Sequence, residues 1–106
     1  MKDKVVIVTG SSMGIGKALA NELAKDGAMI VLNGRNSERL QKVHRELKAN
    51  GAKTIAIAGD VSKIEDCKLL IDETIKAFGR VDVVINNAGL SMEGTVEEVS
   101  LEVVKK

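Results

Sequence analysis

Apolar residues are gathered into short runs separated by stretches with a helical period. Val5-Val6-Ile7-Val8 is an unbroken β-branched run, the pattern of a strand buried on both faces. Met29 to Leu32, Thr54 to Ala58 and Val81 to Ile85 predict three more strands. Between them the period lengthens. Ile15, Leu19 and Leu23, with small Ala18, Ala20 and Ala24 around them, predict a helix from near Met13 that closes at Gly27. Leu40, Val43 and Leu47 mark a second helix, capped by Ser37 and finishing at Asn50-Gly51. A third shows Ile64, Cys67, Ile71, Ile75 and Phe78 on one face, behind a Ser62-x-x-Glu65 capping box and before Gly79. Past the fourth strand, a Thr95-x-x-Glu98 box with Leu101, Val103 and Val104 predicts a loop and the start of another helix.

Strands alternating with helices imply right-handed βαβ units and a parallel α/β sheet covered on both faces. The usual winding gives a doubly wound sheet of strand order 3-2-1-4. The order reverses between the first and fourth strands, so a ligand crevice is expected at their carboxyl ends.

The 106 residues contain no proline, repeat or linker, so residues 1–106 are read as one domain. A chain of this size buries roughly 60 to 70% of its unfolded surface. Hydrophobic content of 44% and charged content of 29% point away from disorder and from a membrane class. The net charge of +1 supplies no field for nucleic acid or anionic lipid, and with Phe78 as the only aromatic, base stacking has no platform. One cysteine, Cys67, and one histidine, His44, exclude a disulfide framework and a metal-ligand cluster within this sequence. Cys67 reads as an inert packed thiol and His44 as a boundary residue. Lys2 and Lys4 precede an apolar run too short for a signal core, so the expectation is a reducing, cytoplasmic setting.

The chemistry gathers at the strand ends. After the first strand stands Thr9-Gly10-Ser11-Ser12-Met13-Gly14-Ile15-Gly16. A Walker loop fails here, because Ile15 and Ala18 occupy its glycine and hydroxyl positions. Gly14 and Gly16 begin a Gly-x-Gly-x-x-Gly pattern, but Leu19 replaces its last glycine. What remains is a turn of backbone N–H groups at a helix N-terminus, suited to a pyrophosphate. Gly10, Ser11, Ser12, Met13, Gly14, Ile15 and Gly16 are therefore candidate cofactor contacts. After the second strand, Asn33-Gly34-Arg35-Asn36 is read as a loop. An acid that would accept the adenosine 2′-hydroxyl is missing, and Arg35 offers a guanidinium that can pair with a 2′-phosphate, favouring NADP over NAD. Asp60 after the third strand is placed to accept the adenine amine, with Val61 against the base. The two amides of Asn86 and Asn87, with small Ala88 and Gly89, are fit to brace the crevice after the fourth; of these Asn87, Ala88 and Gly89 are candidate cofactor contacts.

Thr9-Gly10-x-x-x-Gly14-x-Gly16, Asp60-Val61 and Asn86-Asn87-Ala88-Gly89, in this order and spacing, closely resemble the short-chain dehydrogenase/reductase family. The resemblance implies a Rossmann-type sheet, a nicotinamide dinucleotide and an oxidoreductase acting on a small carbonyl or alcohol. It places Arg35 where NADP-preferring members carry a basic residue, while the family's other basic position is Met13. It also implies that the catalytic serine, the Tyr-x-x-x-Lys pair and a helix asparagine follow the Asn-Asn-Ala-Gly motif. This sequence contains no tyrosine, so no residue here is assigned a catalytic role. Ser91 is not in the catalytic serine's place. The chain then corresponds to the amino-terminal, cofactor-binding portion of such an enzyme. The helices that build the family's homo-oligomers lie in the remaining part, and the outer edge of the fourth strand is expected to be open. The other reading is a stand-alone nucleotide-binding module, or inactive fragment, with no catalysis.

Overall fold

A computed structural model of the chain describes residues 2–87 and 100–103. The elements run β1 (Val5–Val8), α1 (Gly14–Lys25), β2 (Met29–Gly34), α2 (Ser37–Ala49), β3 (Thr54–Ala58), α3 (Ile64–Phe78), β4 (Val83–Asn86) and β5 (Ser100–Val103). They form one sheet of order β3-β2-β1-β4-β5, with β1 to β4 parallel. The Rossmann-type order 3-2-1-4 is thus present.

The fully apolar β1 has a simple cause. Val6 and Val8 point into a core shared with Leu32, Leu40, Val43, Leu47 and Ala20, under α1 and α2. Val5 and Ile7 point the other way, into a core with Leu70, Ile75 and Phe78 of α3. Alternate side chains of one strand leave opposite faces, so both faces of β1 must be apolar. The α2 stripe of Leu40, Val43 and Leu47 is buried as its spacing requires.

Several boundaries differ from the pattern, each for a local reason. β2 continues through Asn33 and Gly34, which pair with Ile57 and Ala58 instead of forming a loop. The cap of α2 is Asn36, whose side chain accepts the Arg39 N–H at 3.0 Å, and Ser37 is already helical. The Ser62-Glu65 box does not form. Lys63 is the N-cap of α3 without a side-chain bond, because the Ser62 hydroxyl donates to Asp60 at 2.7 Å instead. On α3 the buried positions are Leu70 and Thr74; Ile64 is 81% exposed and Cys67 only half-buried, its thiol donating to the Val61 carbonyl. On α1, Ile15 leaves the packing stripe and is 40% exposed, and Ala18 is also exposed. β4 starts at Val83, not Val81.

The largest difference lies at the end. Ser100–Val103 is not a helix but a strand, antiparallel to β4, with Val83 opposite Val103 and Ile85 opposite Leu101. It covers the β4 edge that was expected to be open. An unpaired edge leaves backbone donors and acceptors without partners, and apolar residues two apart suit a strand that closes it. The Thr95-x-x-Glu98 box lies outside the described residues. Among the described residues no helix is long and apolar enough to cross a membrane, and no group of histidine, cysteine and acids could hold a metal ion.

Candidate functional site

The turns after β1, β2 and β3 and the end of β4 come together at the carboxyl edge of the sheet. Gly10 and Gly14 both have positive φ, 63° and 61°, a region that strains other residues. Gly16 needs its lack of a side chain for a different reason: a Cβ there would lie 2.2 Å from the Gly10 carbonyl oxygen and 2.5 Å from Asn87 Nδ2. The opening turn of α1 is thereby drawn against both the β1 turn and the end of β4. Helix geometry gives the N–H groups of Gly14, Ile15 and Gly16 no intrahelical carbonyl; the first such bond runs from Lys17 N–H to the Met13 carbonyl. No acid stands in this first turn, and no side chain caps it. The space over Gly14 is open, with nothing within 4 Å of a Cβ built there.

A set of buried polar groups fixes the turn from below. The Asn87 N–H donates to Thr9 Oγ1 at 2.8 Å, and the Asn87 side-chain amide donates to the Gly10 carbonyl at 3.2 Å. Thr9 Oγ1 in turn lies 3.2 Å from Asn86 Oδ1. On the other side the Ser11 N–H donates to the Asn33 carbonyl at 2.8 Å, while Ser11 Oγ accepts the Asn33 N–H at 2.9 Å. The Asn33 side-chain amide donates to the Ile57 carbonyl at 3.0 Å, which carries the chain of bonds on to the end of β3. The turn is thereby anchored directly to the ends of β2 and β4, and through Asn33 to β3, which holds its backbone in one geometry. Asn87 Oδ1 is buried yet has no partner among the described residues. An unpaired buried acceptor costs about 1–3 kcal/mol, and a donor from a bound ligand would relieve it.

On the far side of the turn stand Arg35 and Asp60. Ser62 donates to Asp60 through both its hydroxyl and its backbone N–H, and these bonds, helped by the nearby Arg35 charge, hold the carboxyl below the usual aspartate range. Asp60 is therefore an ionised acceptor at neutral pH. Its own N–H is taken by Asp66 Oδ2 at 2.8 Å. Val61 is half-buried against the α3 core. Ser12 lies beside the end of β2, its hydroxyl 3.0 Å from where a Gly34 Cβ would be. Met13, 53% exposed, turns toward α2 and accepts a bond on Sδ from Arg39 Nη1 at 3.3 Å.

The residues expected from Gly10 to Gly16, Arg35, Asp60 and Asn87 thus share one edge of the sheet. Ala88 and Gly89 lie outside the described residues. Asn86 joins Asn87 in bracing the turn through Thr9; Thr9, Asn33 and Arg39 were not in the expected set. A polar Asn33 directly after the apolar run Met29 to Leu32 was a readable hint, since a buried amide must find partners. Nothing in the spacing revealed Arg39. Cys67 touches this group only through its bond to the Val61 carbonyl, and His44 lies elsewhere, its Nε2 3.1 Å from the Thr54 carbonyl.

A family model described as short chain dehydrogenase matches residues 4–106. An 11-beta-hydroxysteroid dehydrogenase of Pinus massoniana is 46% identical over 101 residues, which are 94% of this chain and 28% of that protein. The chain thus spans little more than a quarter of that relative. Among solved structures, L-sorbose reductase from Gluconobacter frateurii, complexed with NADPH and L-sorbose, superposes with a TM-score of 0.83 at 38% identity, covering 94% of this chain and 38% of that one. A short chain dehydrogenase/reductase from Burkholderia phymatum in complex with NAD gives 0.77 at 32% identity, covering 78% and 30%.

Proposed function

This chain belongs to the short-chain dehydrogenase/reductase family, and from that premise we propose that it is the NADP-binding portion of an oxidoreductase that reduces a carbonyl or oxidises an alcohol. The observation that carries the proposal is the turn from Gly10 to Gly16, with uncapped helical N–H groups beneath open space and an arginine at the neighbouring strand end. Glycines at 10, 14 and 16 let a pyrophosphate approach the main chain of α1. Asp60 accepts the adenine amine, and Arg35 pairs with the 2′-phosphate. Asn87 braces the crevice, next to Ala88 and Gly89. When bound, the dinucleotide supplies hydride chemistry; the residues of this chain position it and exclude water from one side.

Hydride transfer to or from a carbonyl carbon also needs a proton partner at the oxygen. No tyrosine is present in the chain, and the chain by itself is expected to turn over at background. The substrate is a small carbonyl or alcohol compound recognised by the rest of the protein, which also supplies any homo-oligomer contacts; a half-buried lone thiol suits a cytoplasmic setting. Titration calorimetry of the chain with NADP and NAD is the test. NADP should bind more tightly, and Arg35→Ala should weaken NADP by about 1.5 to 3 kcal/mol with little change for NAD. Equal losses for both, or no binding of either, would overturn the proposal.

A further inference from the structure

Arg39 touches the glycine turn from outside it, through the side chain of Met13. It stands in the first turn of α2, its backbone N–H held by the Asn36 cap at 3.0 Å and its Nη1 held by Met13 Sδ at 3.3 Å. Its setting differs from that of the nearby cation on α1. Lys17 is paired with Glu46 at 3.4 Å, whereas Arg39 has no carboxylate partner among the described residues. A thioether is a neutral and weak acceptor, so the contact leaves the charge of the guanidinium and most of its five donors unspent. The neighbours are also telling. Met13 adjoins Ser12, the Ser12 hydroxyl lies against Gly34, and Gly34 precedes Arg35. One continuous corner therefore runs from Arg39 through Met13 and Ser12 to Arg35, lying between the start of α2 and the turn that opens α1. Both helix N-termini there are electropositive.

We infer that Arg39, docked on Met13, is a second specificity-determining cation for the 2′-phosphate, acting with Arg35 from the opposite side of Ser12. The inference rests on the proposed binding of NADP and adds to it a residue and a role. A phosphate dianion has three acceptor oxygens and can take two guanidinium partners at once. Arg39 adds nothing for a cofactor that ends in a 2′-hydroxyl, so its contribution is selectivity.

The probes are adenosine 2′,5′-bisphosphate and 5′-AMP, titrated into the whole chain by calorimetry at several salt concentrations. The unaltered chain should prefer the bisphosphate. Arg39→Gln should weaken the bisphosphate roughly fivefold to tenfold, as expected for one lost charge-assisted contact, leave 5′-AMP unchanged and make the salt dependence shallower. Arg39→Lys should restore part of the preference. A bisphosphate affinity unmoved by Arg39→Gln, or a matching loss on 5′-AMP, would overturn this inference while leaving the role of Arg35 intact. No preference for the bisphosphate in the unaltered chain would overturn both.

Discussion

Gly14 and Gly16, two residues apart, are glycines for unlike reasons, and substitution should separate them. Gly14→Ala meets no atom, but its φ of 61° lies in the left-handed region, so it should cost about 1–2 kcal/mol of stability. Gly16→Ala drives a methyl into the Gly10 carbonyl and the Asn87 amide. Relief requires the first turn of α1 to move off the sheet, so the expected cost is about 1–3 kcal/mol together with loss of dinucleotide binding. Urea melts and calorimetry on both variants would check this; a Gly16→Ala chain that binds NADP normally would mean that the close approach is not needed. The positions of these glycines were plain in the sequence, because spacing alone reports a turn. The partners of Thr9 and Asn87 were not, since a bond across 78 residues leaves no local periodicity.

Among the elements, unbroken apolar runs and stripes were easiest to read. β1 and β3 match their apolar runs, and α2 matches its stripe. Ends were harder, because the choice between Asn36 and Ser37, or between Ser62 and Lys63, turns on which side chain another partner claims first. Asn36 won at α2, and Asn36→Ala should lower stability by about 1 kcal/mol, whereas Ser37→Ala should change it little. Thermal or urea unfolding distinguishes the two, and the reverse ranking would show that the cap is misassigned. The Asn36 variant should also lose part of its 2′-phosphate selectivity, because Arg39 is ordered from this cap. β5 was read as a helix because its few residues fit either period; what decides is the β4 edge, a tertiary demand that no short window contains.

At the scale of the whole molecule, the clasp that joins the first strand to the fourth is Asp82. Its Oδ2 accepts the Val5 N–H at 2.8 Å, its Oδ1 accepts Arg80 Nε at 3.0 Å, and the Asp82 N–H returns a bond to the Val5 carbonyl at 3.0 Å. Burial alone would push this carboxyl up, but the Val5 N–H and the Arg80 guanidinium, aided by Lys4, outweigh it, and the net direction is down. A group depressed in the folded state binds protons more readily once unfolded. Its stabilisation is therefore full above the ordinary aspartate value of about 4 and is lost as the pH falls through the lower folded value. Chemical denaturation between pH 7 and pH 2 should show a drop in stability at this acid end, and Asp82→Asn should make the drop shallower. Asp82→Ala, which leaves the fully buried Val5 N–H without its acceptor, should cost about 1–3 kcal/mol near neutral pH. Because β1 also carries the glycine turn, loosening this clasp at the opposite end of the strand tests how rigidly the sheet transmits position to the site. If β1 behaves as a fixed rod between two anchored sheets of side chains, NADP affinity in Asp82→Ala should match that of the unaltered chain wherever the variant remains folded. A parallel fall in affinity would mean that the turn owes its geometry to the whole strand and not only to Thr9, Ser11 and Asn87.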